Sequence, residues 1–341
     1  MDWNRGFSAT YYGTFVDPAT WRDLERFEII SGSVSRSNSA LRHSADVTCR
    51  SYDPGKERWV RIYLDARQED TGAHEAIFTG LATSPEVSID GNIKTYPLQC
   101  FSVLKPAEDI FLTRGWYAPA GANGAETIRQ LLAVCPCPVT ISADSPVLSQ
   151  AIVAEDSETN LSMIEKILQA IGWRLRIHGD GTVEVAPQAD TPTATFDVLE
   201  NDSIEPAITL TSDWHRCPNC FRAVRDDMSG TARDDDPDSP LSTVTRGREV
   251  WAQDTSCDLA DDESITEYAR RRLEEEQQAY IKIKYSRRFF PGLLVTDLVQ
   301  LHYPAQGVNG IYRISTQDIA LGHGATTSEE VTSGGNEDDG E

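Results

Sequence analysis

The period of apolar and polar residues changes near residue 280, and this change organises the C-terminal part of the chain. Ser264-Ile-Thr-Glu267 fits a capping box, in which the serine and glutamate side chains satisfy free backbone N–H groups at a helix start. A surface helix is therefore predicted over 264–279. Beyond it the period becomes two, which predicts strands at 281–289, 298–303 and 311–321. We expect these three strands to form an antiparallel meander.

Short alternating runs separated by turn residues fill residues 27–105. Strands of this length and spacing are typical of a barrel or sandwich. The layout of 59–82 also resembles that of 298–315, since each consists of strand, glycine-containing loop and strand. One interpretation is a duplicated barrel, and the other is that any two β-meanders look alike.

Helical spacing interrupts the β pattern over 106–190, which predicts an α+β insert domain. Thr159 or Asn160 can cap a helix that Gly172 ends, and a hairpin is expected over 173–185. A linker rich in proline, threonine and alanine leads into a second barrel. We place that barrel at 191–323 and include the helix 264–279 in it.

Three segments are predicted from composition alone. Residues 1–26 are rich in aromatic residues, so we expect them to pack either on the chain's own first barrel or on a neighbouring subunit. The polar, acidic stretch 226–240 predicts a mobile loop. Residues 324–341 are glycine, serine, threonine and acid with few apolar residues, which predicts a disordered acidic tail.

The charge of the chain excludes one large class of function. Its 54 acidic and 31 basic residues give a net charge of −23, which leaves no basic surface for phosphate backbones. We therefore expect no specific nucleic-acid binding; the acidity serves either solubility or a conduit wall that does not hold DNA. The sequence has no run of 18 apolar residues and no signal peptide, so we expect no membrane segment and synthesis in the cytoplasm.

Cys217-Pro-Asn-Cys220 is the one motif suggestive of zinc, because it pairs two thiols at a common ligand spacing. Cys135, Cys137 and His215 are the candidates for further ligands, but their spacing fits no standard zinc module. The cysteine count is seven, and an odd number argues against a disulfide framework. We expect the cysteines to be packing residues, with no metal and no cofactor bound.

Other candidate chemistry is weaker. Asp234, Asp236 and Asp238 match the first ligand spacings of an EF-hand loop, but Ser239 and Thr245 occupy the positions of its essential glycine and glutamate. No hydrolase or P-loop motif is present, and the six histidines stand apart from any such pattern, at positions 43, 74, 178, 215, 302 and 323. No catalytic, cofactor-binding or metal-binding residue is therefore predicted, and the protein is not expected to be an enzyme.

In their order along the chain, these segments resemble the baseplate hub proteins of phages, which lie at the distal end of the tail tube. The resemblance spans residues 27–321. The segments that carry it are 28–36, 44–49, 61–65, 78–80, 173–181, 290–292, 297–301 and 309–314. It implies a mainly β fold with two tail-tube-like β-barrels and a small α/β insert domain.

The resemblance also implies a function. It suggests a structural virion component at the tail tip, a homotrimer that caps the tail tube, carries a spike or fibre and lines the channel for DNA. The partners it implies are the tail-tube or distal tail protein, the spike, fibre or tail-tip protein and the tape-measure protein. Two alternatives stay open: a carbohydrate-binding tail protein using Trp3, Trp21, Trp116 and Trp251, and a tail-associated cell-wall hydrolase.

Overall fold

Strands far outnumber helices in the computed structural model, which confirms a mainly β fold with a small helical insert. The structure describes residues 1–38, 43–52, 55–83, 86–212, 214–215, 217–225, 228–255, 257, 264–278, 281–322 and 325–333. The strands are β1 Ser8–Val16, β2 Asp23–Ser37, β3 His43–Cys49, β4 Arg58–Gln68, β5 Thr71–Thr83, β6 Ser88–Asp90, β7 Ile93–Ser102, β8 Tyr117–Ala118, β9 Val139–Ile141, β10 Ile152–Val153, β11 Trp173–Ile177, β12 Val183–Pro187, β13 Ala194–Asp197, β14 Ile204–Ser212, β15 Cys220–Arg225, β16 Met228–Arg233, β17 Trp251–Asp254, β18 Ile281–Arg288, β19 Leu298–Tyr303, β20 Val308–Ala320 and β21 Thr326–Ser333. The helices are α1 Lys105–Asp109, α2 Gly124–Leu131, α3 Asn160–Ile171, α4 Thr243–Arg246 and α5 Ile265–Gln278. No helix in the described part of the chain is long and apolar enough to cross a membrane.

The first barrel is a closed ring of six antiparallel strands. Going round the ring, the order is β1, β4, β5, β7, β3 and β2, and the pairing of β2 with β1 closes it. Alternate side chains point inward, and residues such as Val60, Ile62 and Leu64 on β4 are completely buried. The core of this barrel is built mainly from aliphatic, aromatic and cysteine side chains, and Arg36 and His43 are the buried polar residues that share a strand face with Val34 and Ala45.

The second barrel repeats this order with one difference. Its strands run β13, β19, β20, β21, β18 and β14, and this is the order of the first barrel when strands are matched by their rank along the chain. All corresponding pairs are antiparallel except β13 with β19, which is parallel. Among the described residues β13 and β14 form no ladder, so this barrel stays open at one seam.

The insert domain lies between the barrels in sequence and has its own apolar core. Thr159 caps α3 through a capping box with Ser162, and Gly172 ends that helix in a left-handed conformation at φ 65°. β11 and β12 form the expected hairpin, and β9 pairs with β12 in parallel. The broad apolar face of α3 packs against α2 and this small sheet.

A further small domain interrupts the second barrel between β14 and β18, and α5 belongs to it. Ser264 caps α5 as its sequence predicts, because Ser264 and Glu267 exchange side chain to backbone hydrogen bonds of 2.9 and 3.2 Å. Tyr268 and Leu273 on α5 pack on Phe221 of the sheet β16-β15-β17. The predicted placement of this helix on the second barrel is therefore wrong, because its apolar stripe is covered by strands nearer in sequence.

Three other predictions are corrected by the strand pairing. β18 and β19 are not neighbours, because β21 lies between β18 and β20, so the predicted meander holds only for β19 with β20. Val331 of β21 pairs with both Ile283 and Ile314, which explains its place. The segment predicted as a disordered tail thus begins with a central strand; Gly324 and 334–341 lie outside the described residues. In the predicted mobile loop, 228–233 is strand β16, while residues 226 and 227 are outside the described residues.

The aromatic N-terminus packs on the chain itself. Trp3 contacts Phe7 and Phe289 edge to face, with ring centroids 5.2 and 5.9 Å apart. Of the two possibilities that the sequence leaves open, the structure therefore shows contact within the chain for this tryptophan.

Candidate functional site

The two barrels are joined by a continuous sheet. β2 extends past its pairing with β1, and its residues 33–37 pair antiparallel with residues 316–320 of β20. The Ser35 hydroxyl also donates to the Asp318 carboxylate at 2.6 Å. We call this contact the barrel junction, and it fixes the two barrels side by side through main-chain hydrogen bonds.

A buried ionic cluster lies beside the barrel junction. Arg287 of β18 donates two hydrogen bonds to the Glu329 carboxylate of β21, at 2.9 and 2.6 Å, and both side chains are almost completely buried. The Tyr285 hydroxyl donates to the same carboxylate. Gln317 of β20 connects this pair to the first barrel, because it donates to Glu329 at 2.5 Å and accepts from Arg36 of β2 at 3.0 Å. The cluster therefore ties both barrels to one carboxylate.

The protonation of this cluster follows from its burial. Burial by itself lowers the pKa of Arg287, but the adjacent Glu329 carboxylate outweighs it and the pKa is raised. Burial, reinforced by Glu329, holds the pKa of Tyr285 well above its usual range. His43 of β3 lies buried opposite Arg36, and burial together with that guanidinium lowers its pKa to about 3. The imidazole is therefore neutral at pH 7, while the Arg287 guanidinium is charged.

The turn of the insert hairpin, residues 178–181, docks against the first barrel. The Thr79 hydroxyl donates to the Gly179 carbonyl at 2.8 Å. The Asp180 carbonyl accepts hydrogen bonds from Arg61 at 2.9 Å and from the Trp21 indole at 3.0 Å. At Gly179 a Cβ would lie 1.8 Å from the Ala76 carbonyl oxygen, so only glycine permits this approach.

The same hairpin is bound to the second barrel on its other side. Asp297 is completely buried and accepts from Arg174 at 2.9 Å and from Arg176 at 3.1 Å. Arg176 also pairs with Glu184, which His178 contacts at 3.0 Å. Burial acts to raise the pKa of Glu184, but its bonds with His178 and Arg176 outweigh that effect and the pKa is lowered. The hairpin thus holds both barrels at once, beside a cleft of about 470 Å³.

The open seam of the second barrel exposes apolar side chains. Leu210 of β14 is 49% exposed, and Leu199 in the turn between β13 and β14 is 75% exposed. β14 pairs with β18 on one side, and on its other side no described strand is paired with it. The seam is a place where the sheet can be continued from outside.

The cysteines of the candidate zinc motif do not converge. Cys135 and Cys137 lie in the core of the insert domain, where the Cys137 thiol donates to Cys135 and lowers its pKa. Cys217 and Cys220 are buried in the small domain instead, and His215 is exposed. Within the described residues no group of three or more His, Cys, Asp or Glu side chains is arranged to hold a metal ion.

The aspartates of the calcium-like loop stabilise turns. Asp234 accepts from the backbone N–H of Asp236 at 3.2 Å and from the Ser239 hydroxyl at 2.7 Å. Asp236 accepts in the same way from the N–H of Asp238 at 2.9 Å. Their oxygens are therefore used to order the chain between β16 and α4.

The histidines and tryptophans are dispersed over the structure. His74 contacts Asp65 at 2.6 Å and His302 contacts Asn309 at 3.0 Å, while His323 lies outside the described residues. Three of the four tryptophans proposed as sugar-stacking surfaces are partly buried against the chain: Trp3, Trp21 against Trp59, and Trp116 on the insert core. Trp251 is the exposed one, at 52%.

Comparison with known proteins identifies solved structures of similar fold. No protein-family model and no curated protein matches the sequence. Among solved structures, a tail protein from Neisseria meningitidis superimposes with a TM-score of 0.72 at 15% identity, covering 97% of this chain and 98% of that one. The 43 kDa tail protein of prophage MuSo2 from Shewanella oneidensis gives a TM-score of 0.69 at 13% identity, over 96% and 98%. The chain has the fold of phage tail proteins.

This tail-protein fold extends beyond phages. The Escherichia coli c3393 protein, a component of the type VI secretion system described as similar to the T4 tail proteins gp27 and gp5, matches with a TM-score of 0.52 at 7% identity. That match covers 89% of this chain and 73% of that one. A fold of this kind is what the resemblance to baseplate hub proteins predicts, and that prediction is confirmed.

Proposed function

We propose that this protein is a structural subunit of a phage tail, a hub that caps the distal end of the tail tube as a homotrimer. The observation that carries the proposal is the repeated barrel: one chain presents two six-stranded barrels with the same strand order, fixed side by side at the barrel junction. Three such chains present six similar barrels. That number matches the six-fold symmetry that the resemblance implies for the tail tube.

The contacts that fix the two barrels relative to each other support a structural role. Sheet pairing, the buried Glu329 cluster and the hairpin turn 178–181 all hold the barrels in one relative orientation. A cap on a tube requires such fixed spacing, because each barrel has to meet its own site on the ring above it. The role requires no catalysis, and none is proposed.

Partners and location follow from this role. We expect the tail-tube or distal tail protein on one side, and the spike, fibre or tail-tip protein on the other. The tape-measure protein is a further expected partner inside the tube. The protein would be made in the host cytoplasm and would end in the virion at the tail tip.

The trimer is tested by size-exclusion chromatography coupled to light scattering, on the free protein and on the protein mixed with its tail-tube protein. We expect three chains per particle, alone or once docked. A monomer that never associates with tail-tube protein would contradict the proposal.

The conduit is tested by DNA binding. A net charge of −23 gives no counterion release on contact with a phosphate backbone, so we expect no retardation of duplex DNA even in about 50 mM salt. A basic nucleic-acid-binding domain of similar size serves as the positive control. Retardation of the duplex by the hub protein would argue against a channel wall that lets DNA pass.

A further inference from the structure

β2 joins the two barrels within one chain, and its counterpart in the second barrel, β14, has one edge that no described strand pairs with. In the first barrel β2 follows β1, pairs with β1 through its N-terminal half, and continues beyond it to pair with β20. β14 occupies the same rank in the second barrel, and its ladder with β18 corresponds to the ladder of β2 with β3. Nothing described pairs with the other edge of β14, so the counterpart of the barrel junction is vacant.

The sequence of β14 lacks the devices that keep exposed edges from pairing. Edge strands are usually blunted by charged side chains, by proline or by extreme shortness. Here Glu205 and Pro206 stand only at the beginning, and Ala207-Ile-Thr-Leu-Thr-Ser212 carries no charge and is rich in β-branched residues. Five of these six residues are exposed, including Leu210. An uncharged, exposed edge of this length presents main-chain groups with which another strand can pair.

We propose that residues 207–212 of β14 pair with a second copy of this chain, through the first barrel of that copy. The inference rests on the proposed hub function, because it names the surface through which the trimer would form. Within one chain the barrel junction joins the first barrel to the second. The contact through β14 would join that second barrel to the first barrel of the next copy, so first and second barrels would alternate along the assembly. A head-to-tail contact of this type closes into a ring when its rotation permits.

The open seam gives the contact an apolar component. Leu210 faces the same side of the sheet as Ile283, its partner on β18, whose side chain is buried in the barrel core. A strand added at β14 would cover Leu210 and would complete the wall where β13 and β14 leave it open. A contact through β18 is not available, because β14 and β21 already pair with both of its edges.

The test uses the full chain with Thr209→Glu and Thr211→Glu combined. The cross-strand partners of these threonines are Lys284 and Lys282, so the new carboxylates are matched within the subunit and folding is retained. Charges on the edge oppose addition of another strand. We expect the concentration for half-maximal trimer formation to rise at least about tenfold, measured by light scattering.

The control is Thr140→Glu on β9. Thr140 is also exposed on a strand that, among the described residues, has one free edge. It should leave trimer formation unchanged, and unchanged melting temperatures establish that all variants are folded. If the double variant forms trimers as the wild type does, the inference about β14 is wrong while the hub proposal stands. A wild-type chain that stays monomeric, alone and with tail-tube protein, overturns both.

A photo-cross-linking residue at position 210 identifies the partner strand. We expect cross-linked peptides that join position 210 of one copy to residues 8–102 of another, as read by mass spectrometry of the trimer band. Cross-links to the second barrel of the other copy would overturn the pairing of unlike barrels.

Discussion

The first and second barrels share their strand order but are stabilised in different ways. The first closes on itself and fills its interior with apolar side chains such as Ile62 and Leu64. The second has a smaller apolar core, an ionic cluster at Glu329 and a seam between β13 and β14. A closed barrel has no unpaired strand edge, whereas an open one leaves main-chain N–H and C=O groups unpaired at its seam. The difference suggests the hypothesis to be tested: the second barrel is the one through which copies of this chain would assemble.

Loss of the buried carboxylate should have the largest effect. Glu329→Ala leaves Arg287 buried without its counter-charge, which should cost about 3–5 kcal/mol of the free energy of unfolding in urea. Glu275→Ala is the control, because Glu275 pairs with Arg271 and Arg272 on the exposed face of α5 and should cost about 0–1 kcal/mol. Equal losses in the two variants would mean that the cluster does not hold the second barrel.

The second-largest effect is expected from disturbing the contact between the hairpin turn 178–181 and the first barrel. Gly179→Ala places a methyl group against the Ala76 carbonyl and should cost about 1–3 kcal/mol by overpacking, read from urea denaturation. Gly322→Ala is the matched control, since a Cβ there meets no atom within 4 Å. An unchanged free energy of unfolding in the Gly179 variant would show that the turn is not in close contact with the first barrel.

The pH dependence of stability tests His43. Its folded pKa of about 3 lies below the ordinary value of 6.5, so between these pH values the unfolded chain binds a proton that the folded chain does not. The contribution of His43 to the free energy of unfolding is therefore fully present above pH 6.5. It decreases as the pH is lowered, by about 1.4 kcal/mol per pH unit. His43→Leu should reduce the slope of the unfolding free energy between pH 6 and 4, about the middle of that window. An identical slope in the two proteins would contradict the burial of a neutral imidazole.

Hydrogen exchange should show the smallest difference, and it compares equivalent strands directly. Residues 33–36 of β2 are paired on both edges, whereas residues 208–212 of β14 are paired with β18 on one edge and with no described strand on the other. Outward-facing amides of β14 should therefore exchange faster in the monomer and become protected in the assembled protein. Equal protection of β2 and β14 in the monomer would mean that the seam is closed.

Local patterns predict the elements well, and their pairing less well. The capping box at Ser264, the cap at Thr159 and the hairpin after Gly172 depend on residues close in sequence, and each is found. The order of strands depends on contacts far apart in sequence. β21 lies between β18 and β20, where Val331 is in register with Ile283 and Ile314, and no local pattern shows this pairing.

Two buried carboxylates account for further differences between the sequence-based predictions and the structure. Glu329 lies in an acidic segment with few apolar residues, which is the composition of a disordered tail. It is buried because Arg287, Tyr285 and Gln317 converge on it from two other strands. Carboxylates are seldom buried, so composition alone favours exposure at this position. Asp297 is a similar case, because its partners Arg174 and Arg176 come from the insert domain.

The most direct test of the account is the symmetry of the tail at the distal end of its tube, determined by cryo-electron microscopy of assembled particles. The account predicts three copies of this chain, arranged so that first and second barrels alternate around a ring of six. A ring of six copies would contradict it, because twelve barrels would then face six sites. So would particles whose tube ends without this chain.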